Sequence, residues 1–349
     1  MGEFTVAVIG CGREGEARTG CAIGHKHALG YNASPDARYV AFCDIVPENA
    51  EAFRSQHGSG NERIYTDYQD MLAKEKPDIV SVAVWPHLHA PMTIACAEAG
   101  VRAVHCEKPM ALTWGDARAM AAACAASGTQ LTFNHQRRFG PSFRKVRDLV
   151  ADGAIGSLEQ IQAYTSNLYD WGTHWFDMAF FFNAETAAEW VIGQVDVRGH
   201  RKVFGAPIEG QGLACVKFAN GVFLRMQTGH EAPHDVAFRL IGTEGVIELA
   251  DKADFGLRMM NGGQAGWTTV LADAPLHGPD CHKLAVLDLI DALAAGREPE
   301  LSARKALQAT EVIFATYESA RSRGRIDLPL TTDDSAIAAL VEEFESQGG

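Results

Sequence analysis

Basic side chains are in deficit. The 349 residues carry 31 Lys and Arg against 44 Asp and Glu, a formal net charge of −13. So acidic a chain has no surplus of cations to neutralise nucleic-acid phosphates or an anionic bilayer, and neither is expected as a partner. Long apolar runs are also missing. The greasiest, FDMAFFFNA at 176–184, falls far short of the ~20 residues that span a bilayer. The start, MGEFTVAVIGCG, has no basic segment, and its apolar residues end in glycines, so it does not read as a secretory signal. The eight cysteines stand at 11, 21, 43, 96, 106, 124, 215 and 281, and no two are separated by two residues. No zinc-knuckle or thioredoxin-type pair is therefore readable, and most of the cysteines sit inside apolar runs as small hydrophobes. His25/His27 and His87/His89 are spaced i, i+2 in segments that read as loop or helix. With no carboxylate or Cys at partner spacing, no metal site is expected. These absences describe a soluble, reduced, cytoplasmic protein. The composition, 47% apolar and 21% charged, is an ordinary globular balance, and the length favours two domains.

FTVAVI (4–9), YVAFCD (39–44), DIVSVAV (78–84), VRAVHCE (101–107) and QLTFNH (130–135) are short, nearly continuous apolar runs. That pattern suits strands buried on both faces. Helix-like segments at 47–57, 67–74, 89–99 and 113–127 lie between them, the last two stopping before Gly100 and Gly128, where a C-cap glycine is expected. The alternation predicts a parallel α/β sheet over residues 1–135. Beyond about 140 the texture changes. A helix at 143–156 precedes alternating segments at 157–165, 212–220, 221–229, 236–245 and 246–251, with hairpin turns at Asn220-Gly221 and Glu244-Gly245. These predict an antiparallel sheet carrying a helix at 170–182, with helices at about 280–295 and 303–323 closing the chain. The domains are accordingly 1–135 and 136–349, with the last helix free to pack back on the first.

Gly10, Gly12 and Gly15 fit G-x-G-x-x-G directly after the first strand, and Asp44 ends the second. The glycines let backbone N–H groups approach a pyrophosphate at a helix N-terminus, with Arg13 and Glu14 inside the same loop. Asp44 is placed to hydrogen-bond both hydroxyls of an adenosine ribose and to repel a 2′-phosphate. Ile45 beside it offers no cation, which favours NAD over NADP. Asp44 lies 34 residues beyond Gly10, against about 20 in the fingerprint, and ARTGCAIGH (17–25) reads as an insertion of about ten residues on that spacing.

Two further groups carry chemistry. Cys106-Glu107-Lys108-Pro109 ends the fourth run, where ligands bind in a doubly wound sheet; on residues alone Lys108 reads equally as a surface lysine. In Asp170-Trp171-Gly172-Thr173-His174-Trp175-Phe176-Asp177, a helix would align Asp170, His174 and Asp177 at i, i+4 and i+7. Carboxylates flanking an imidazole raise its basicity, as a general base needs. The alternative is an N-cap aspartate with a packed histidine.

Taken together, the glycine fingerprint, Glu-Lys-Pro at 107–109, Arg-Arg-Phe-x-Pro at 137–141, Gly-Ala-Ile-Gly at 153–156, Asp-x-Gly-x-His-x-x-Asp at 170–177 and the tail from 288–302 to 317–330 resemble the glucose–fructose oxidoreductase / inositol dehydrogenase (Gfo/Idh/MocA) family over nearly the whole chain. The resemblance implies an α/β fold. Its parts are an N-terminal Rossmann doubly wound parallel sheet and a C-terminal α+β domain with an open, mostly antiparallel sheet, paired into homodimers or homotetramers. It implies NAD(P)-dependent oxidation of a secondary alcohol on a sugar, sugar derivative or cyclitol. Lys108 would bond the reacting hydroxyl, His174 would accept its proton, and Asp170 would orient His174 or contact the substrate. Glu107 would contact the nicotinamide ribose. Trp85, Pro86 and His89 would line the dinucleotide crevice, and Arg138 would sit where the domains meet, a weak substrate candidate. Some members retain NAD and use transient oxidation to cleave a glycosidic bond, which is the alternative reaction here. Only Ser166, Asn167, Leu168 and Tyr169 separate Thr165 from Asp170, a shorter stretch than is usual in the family, so the substrate does not carry over. Tyr169, Trp171 and Trp175 offer an aromatic wall for a sugar face.

Overall fold

The computed structural model describes residues 4–13, 22–230, 232–233, 235–263, 266–278 and 280–347. Contacts divide the chain into two units: Met1–Leu112 with Asp116–Gln136 and Pro279–Ala306, and Thr113–Gly115 with Arg137–Gly278 and Leu307–Gly349.

The first unit holds a six-stranded parallel sheet of β1 (Phe4–Ile9), β2 (Ala37–Cys43), β3 (Arg63–Tyr65), β4 (Ile79–Val82), β5 (Ala103–Cys106) and β6 (Gln130–Phe133), in the order β3-β2-β1-β4-β5-β6. The order reverses between β1 and β4, the switch point at which doubly wound sheets bind ligands. Its helices are α1 (Gly24–Tyr31), α2 (Pro47–His57), α3 (Tyr68–Glu75), α4 (Pro86–Glu98) and most of α5 (Trp114–Ser127). The continuous apolar runs of β1, β4 and β5 are buried almost residue for residue, as a sheet covered on both faces requires.

One further helix belongs here by its contacts: α8 (Cys281–Ala295) packs Val286, Leu289 and Ile290 into the same core as Phe4, Val6, Tyr31 and Phe42. Gly30 makes this possible, since a Cβ there would stand 2.4 Å from Val286 Cβ. A division of the chain at 135/136 leaves this return to the first core out of account.

The second unit is built on a nine-stranded, mostly antiparallel sheet. Its strands are β7 (Leu158–Thr165), β8 (Ala188–Asp196), β11 (Gln211–Phe218), β12 (Phe223–Gly229), β13 (Val236–Gly242), β14 (Gly245–Ala250), β15 (Leu257–Asn261), β16 (Thr268–Leu271) and β17 (Ile326–Asp327). A separate ribbon pairs β9 (Arg201–Val203) with β10 (Ala206–Ile208). The predicted hairpin at Asn220-Gly221 joins β11 to β12, and the turn at Glu244-Gly245 joins β13 to β14. β7 is the exception, running parallel to β12 and antiparallel to β13. Helices α6 (Pro141–Ala151) and α7 (Gly172–Phe182) pack together and against the sheet, and α7 is buried at every residue. That explains its apolar sequence without a membrane. No helix among the described residues is long and apolar enough to cross one. α9 (Ala303–Ser322) meets β8 at Gly193, whose N–H donates to Ser319 Oγ at 2.8 Å. α10 (Ala336–Ser346) ends the chain's regular structure.

Candidate active site

The glycine loop is a tight turn. Gly10 and Gly12 have φ of +88° and +59°, conformations that suit glycine. A Cβ on Gly10 would stand 2.5 Å from the Ala83 carbonyl oxygen, so only hydrogen fits where β1 passes β4. Asp44 follows β2 and is 9% exposed. Its Oδ2 accepts the Gly12 N–H at 2.9 Å and its Oδ1 the Val46 N–H at 2.9 Å, so the acid is locked to the glycine loop. Arg13 is half-buried in the same turn. Glu14 and Gly15 lie outside the described residues, as do residues 17–21 of the insertion.

Gly24 is a residue that sequence reasoning missed. It opens α1, and a Cβ on it would stand 3.0 Å from the Gly10 carbonyl oxygen and 3.6 Å from Ala83 Cβ. Close helix–strand packing is the task of the third fingerprint glycine, and Gly24 performs it. The nine-residue offset between Gly15 and Gly24 accounts for most of the delay of Asp44. That delay was the one signal in the sequence.

Trp85 and Pro86 open α4 beyond the carboxyl end of β4; Trp85 is exposed and Pro86 buried. His89 does not line a crevice. It is fully buried, with Nε2 3.0 Å from the Val84 carbonyl and Nδ1 2.9 Å from that of Pro109. Burial holds its pKa below the usual imidazole value, and its ring ties the ends of β4 and β5 together from inside.

Lys108 follows β5, half-buried, with a cis bond to Pro109. Glu107 turns inward instead of presenting a carboxylate to a ribose: it is 5% exposed. Its Oε1 lies 2.8 Å from His27 Nε2 and 2.5 Å from Asn134 Nδ2, and its Oε2 accepts the Lys108 N–H at 3.1 Å. Burial alone would raise its pKa, but the His27 hydrogen bond, the His27 and Lys108 charges and Asn134 outweigh it and hold the carboxyl well below the usual range.

In the second unit, Asp170 and His174 are both buried at the start of α7, Asp170 in the turn before the helix proper. Asn167 shapes this turn, its Oδ1 accepting the Asp170 and Trp171 N–H groups at 2.6 and 3.2 Å. Glu209, unanticipated from sequence and 2% exposed, accepts the Leu168 N–H at 2.6 Å, Thr228 Oγ1 at 2.9 Å and the Tyr317 hydroxyl at 2.7 Å. Burial pushes its pKa up.

The Asp177 carboxylate is bound by the Arg138 guanidinium. Arg138 itself is fully buried, held by Asp177 and Glu185, so it presents no guanidinium to a substrate. The aromatic wall also thins out. Trp175 is 1% exposed, stacked on Phe238 with its indole N–H on the Ala237 carbonyl at 3.2 Å, and Tyr169 is buried. Trp171 remains open, 38% exposed, with the Arg137 guanidinium over its ring at 5.1 Å and His277 edge-on at 5.5 Å. Among the described residues no group of three or more His, Cys, Asp or Glu side chains could hold a metal ion.

A doubly wound sheet whose switch point carries a glycine turn locked to an acid, with a lysine beyond the next strand but one, defines a dinucleotide-dependent oxidoreductase. The comparisons with known proteins agree. Residues 4–135 match the oxidoreductase family's NAD-binding Rossmann fold and residues 165–328 its C-terminal alpha/beta domain. The chain belongs to the Gfo/Idh/MocA oxidoreductase family. It is 28% identical to a D-apiose dehydrogenase of Paraburkholderia graminis, over 93% of this chain and 90% of that one. It is 27% identical to a myo-inositol 2-dehydrogenase of Thermotoga maritima, over 69% of this chain and 74% of that one. Levoglucosan dehydrogenase in complex with NADH and levoglucosan shares the fold, with a TM-score of 0.77 at 21% identity over 94% of this chain and all of that one. The chain is thus an NAD-dependent dehydrogenase with a Rossmann domain.

Proposed function

We propose that the chain oxidises a secondary alcohol of a sugar, sugar derivative or cyclitol, with His174 as the base and Lys108 stabilising the alkoxide. The observation that carries this reading is the position of Lys108, Gly10 and Asp44 beyond the carboxyl ends of β5, β1 and β2 of one parallel sheet, alongside relatives named for D-apiose and myo-inositol.

Bound NAD supplies the hydride acceptor. The protein's own residues supply alignment and charge. Backbone around Gly10 and Gly12 receives the pyrophosphate, and Asp44 takes the adenosine ribose hydroxyls. The Asp44 charge disfavours a 2′-phosphate, which sets NAD above NADP. His174 accepts the hydroxyl proton on its imidazole, with Asp170 orienting it. The Lys108 ammonium donates to the reacting oxygen and stabilises the negative charge that develops there. Trp171 offers its exposed face to the sugar ring. The homo-oligomer is part of the same proposal: the second unit's sheet leaves Ile192 and Leu213 48% and 55% exposed beside a groove of about 910 Å³, the kind of surface a second copy covers.

The test is Lys108→Ala and His174→Ala, each assayed with NAD against aldoses including D-apiose, anhydro sugars including levoglucosan, and cyclitols including myo-inositol. Both variants lose turnover while NAD binding, read by calorimetry, survives. Wild-type rates in either overturn the assignment.

A further inference from the structure

Beneath the end of β5 lies a cluster of polar side chains that the proposed chemistry does not use. His27, Ser81 and His105 are fully buried, and Tyr31, Asn134, Thr132 and Glu107 are no more than 5% exposed. His27, on α1, spans the cluster: Nε2 lies 2.8 Å from Glu107 Oε1 and Nδ1 2.8 Å from Ser81 Oγ. The Tyr31 hydroxyl reaches Ser81 Oγ at 3.3 Å. Asn134, just past β6, donates from Nδ2 to Glu107 Oε1 and lies 3.0 Å from His282 Nδ1 of α8. The His105 ring packs against His27 at 4.5 Å and bonds Thr132 Oγ1 at 2.8 Å.

An interior of imidazoles, a carboxylate and an amide is a costly way to fill space. Apolar side chains of similar volume pack there without desolvation. The connections give the cluster a direction. His27 of α1 and Asn134 past β6 both meet Glu107 at Oε1, and the other oxygen, Oε2, accepts the Lys108 N–H. On the far side of the lysine, His89 takes the Pro109 and Met110 carbonyls at 2.9 and 3.3 Å. The Lys108 main chain is thus gripped before and after by buried side chains.

We propose that His27, acting through Glu107, is a positioning residue for Lys108. The Nε2–H of His27 and the amide of Asn134 fix the Glu107 carboxylate. The carboxylate in turn fixes the Lys108 peptide and sets an anion beside the lysine's ammonium. Orientation of a catalytic group to fractions of an ångström is worth large factors in rate and little in ground-state binding. The inference rests on the catalytic reading of Lys108.

The experiment compares wild type with His27→Ala, His27→Gln, Glu107→Gln and Lys108→Ala. Amide hydrogen exchange, resolved by residue with NMR, reports the grip directly and needs no substrate. Steady-state NADH formation from D-apiose and myo-inositol reports its consequence. His27→Ala and Glu107→Gln speed exchange at Lys108 about tenfold or more while Val104 and Cys106 stay protected. Both lower kcat at least tenfold, with KM and the NAD Kd within about threefold, a loss confined to the transition state. His27→Gln, which keeps a donor toward Glu107, recovers most of the protection and the rate. Glu107→Gln keeps the side-chain shape and covers the case in which His27→Ala does not fold. Unchanged exchange at Lys108 in both His27→Ala and Glu107→Gln overturns the proposal. So does faster exchange with an unchanged kcat when Lys108→Ala is inactive. An active Lys108→Ala instead overturns the catalytic reading of the lysine, a result distinguishable from both.

Discussion

Arg138 and Asp177 form a two-point ion pair inside the second unit. Arg138 Nε lies 2.9 and 3.0 Å from the two carboxylate oxygens and Nη2 lies 2.8 Å from Oδ1, with both side chains at most 1% exposed. The pair braces α7, the helix that carries His174, against the Gln136–Phe139 turn. Removing Arg138 leaves the buried Asp177 charge uncompensated, at a cost of about 3–5 kcal/mol. Arg138→Met lowers the free energy of unfolding by that amount, and Asp177→Leu, which leaves Arg138 its Glu185 partner, lowers it by less. The double variant regains much of the Arg138→Met loss, because the carboxylate then left without Arg138 is Glu185, which is partly exposed. Equal stability of the single variants and wild type contradicts this role.

Asp44 and Gly24 make separable predictions for the cofactor. Asp44→Ala removes a charged hydrogen-bond acceptor and weakens NAD about tenfold or more, whereas NADP, relieved of repulsion, is held as well or better. Gly24→Val forces a branched side chain toward the Gly10 carbonyl and Ala83 and weakens both dinucleotides alike. Binding titrations with NAD and NADP check both, and an equal loss in Asp44→Ala removes Asp44 from the ribose site.

Acid sensitivity follows from two buried histidines. Burial lowers the pKa of His89, and burial with His27 nearby lowers that of His105 well below the usual value. Below about pH 6.5 the unfolded chain takes up protons on these rings more readily than the folded chain does. Stability is therefore lost as pH falls through about 6.5, by at most about 1.4 kcal/mol per pH unit for each histidine. Glu107 works at a lower pH. Its folded pKa is depressed, so its contribution stands above the ordinary carboxylate range and is lost only in stronger acid. Denaturation at pH 7, 6 and 5 measures the slope, and His105→Asn removes one histidine's share.

The two tryptophans at the start of α7 differ in the same way that their exposure does. Trp175→Ala opens a core cavity and costs about 3–5 kcal/mol. Trp171→Ala leaves the melting temperature near wild type and raises the sugar KM several-fold. A stable Trp175→Ala, or a sugar KM in Trp171→Ala equal to wild type, contradicts this division.

The sheet of the first unit was legible because buried parallel strands write themselves as continuous apolar runs; FTVAVI and AVHC needed no partner to be recognised. The three-residue β3 carried too little pattern to show, and β8, which pairs with β11, gave no clean alternation. Gly10, Gly12 and Asp44 were readable because they lie on adjacent strand ends and share a local turn. Gly24 was hidden by the insertion that separates it from Gly12. The partners of Glu107 and Arg138 were invisible for another reason: His27 lies 80 residues from Glu107 and Asp177 lies 39 from Arg138. Only the tertiary fold turns these lone polar residues into pairs. Trp175 and Arg138 belong to types that serve both cores and binding sites, and burial alone separates the two uses.

The most direct test of the central claim follows the NADH absorbance band, and products by mass spectrometry, as the chain meets D-apiose, levoglucosan, myo-inositol and simple glycosides with NAD. The account predicts net NADH formed in proportion to a ketone or lactone product from one of these classes. Cleaved or isomerised product without net NADH contradicts it, and would assign Lys108 and His174 to an elimination in which the hydride is returned.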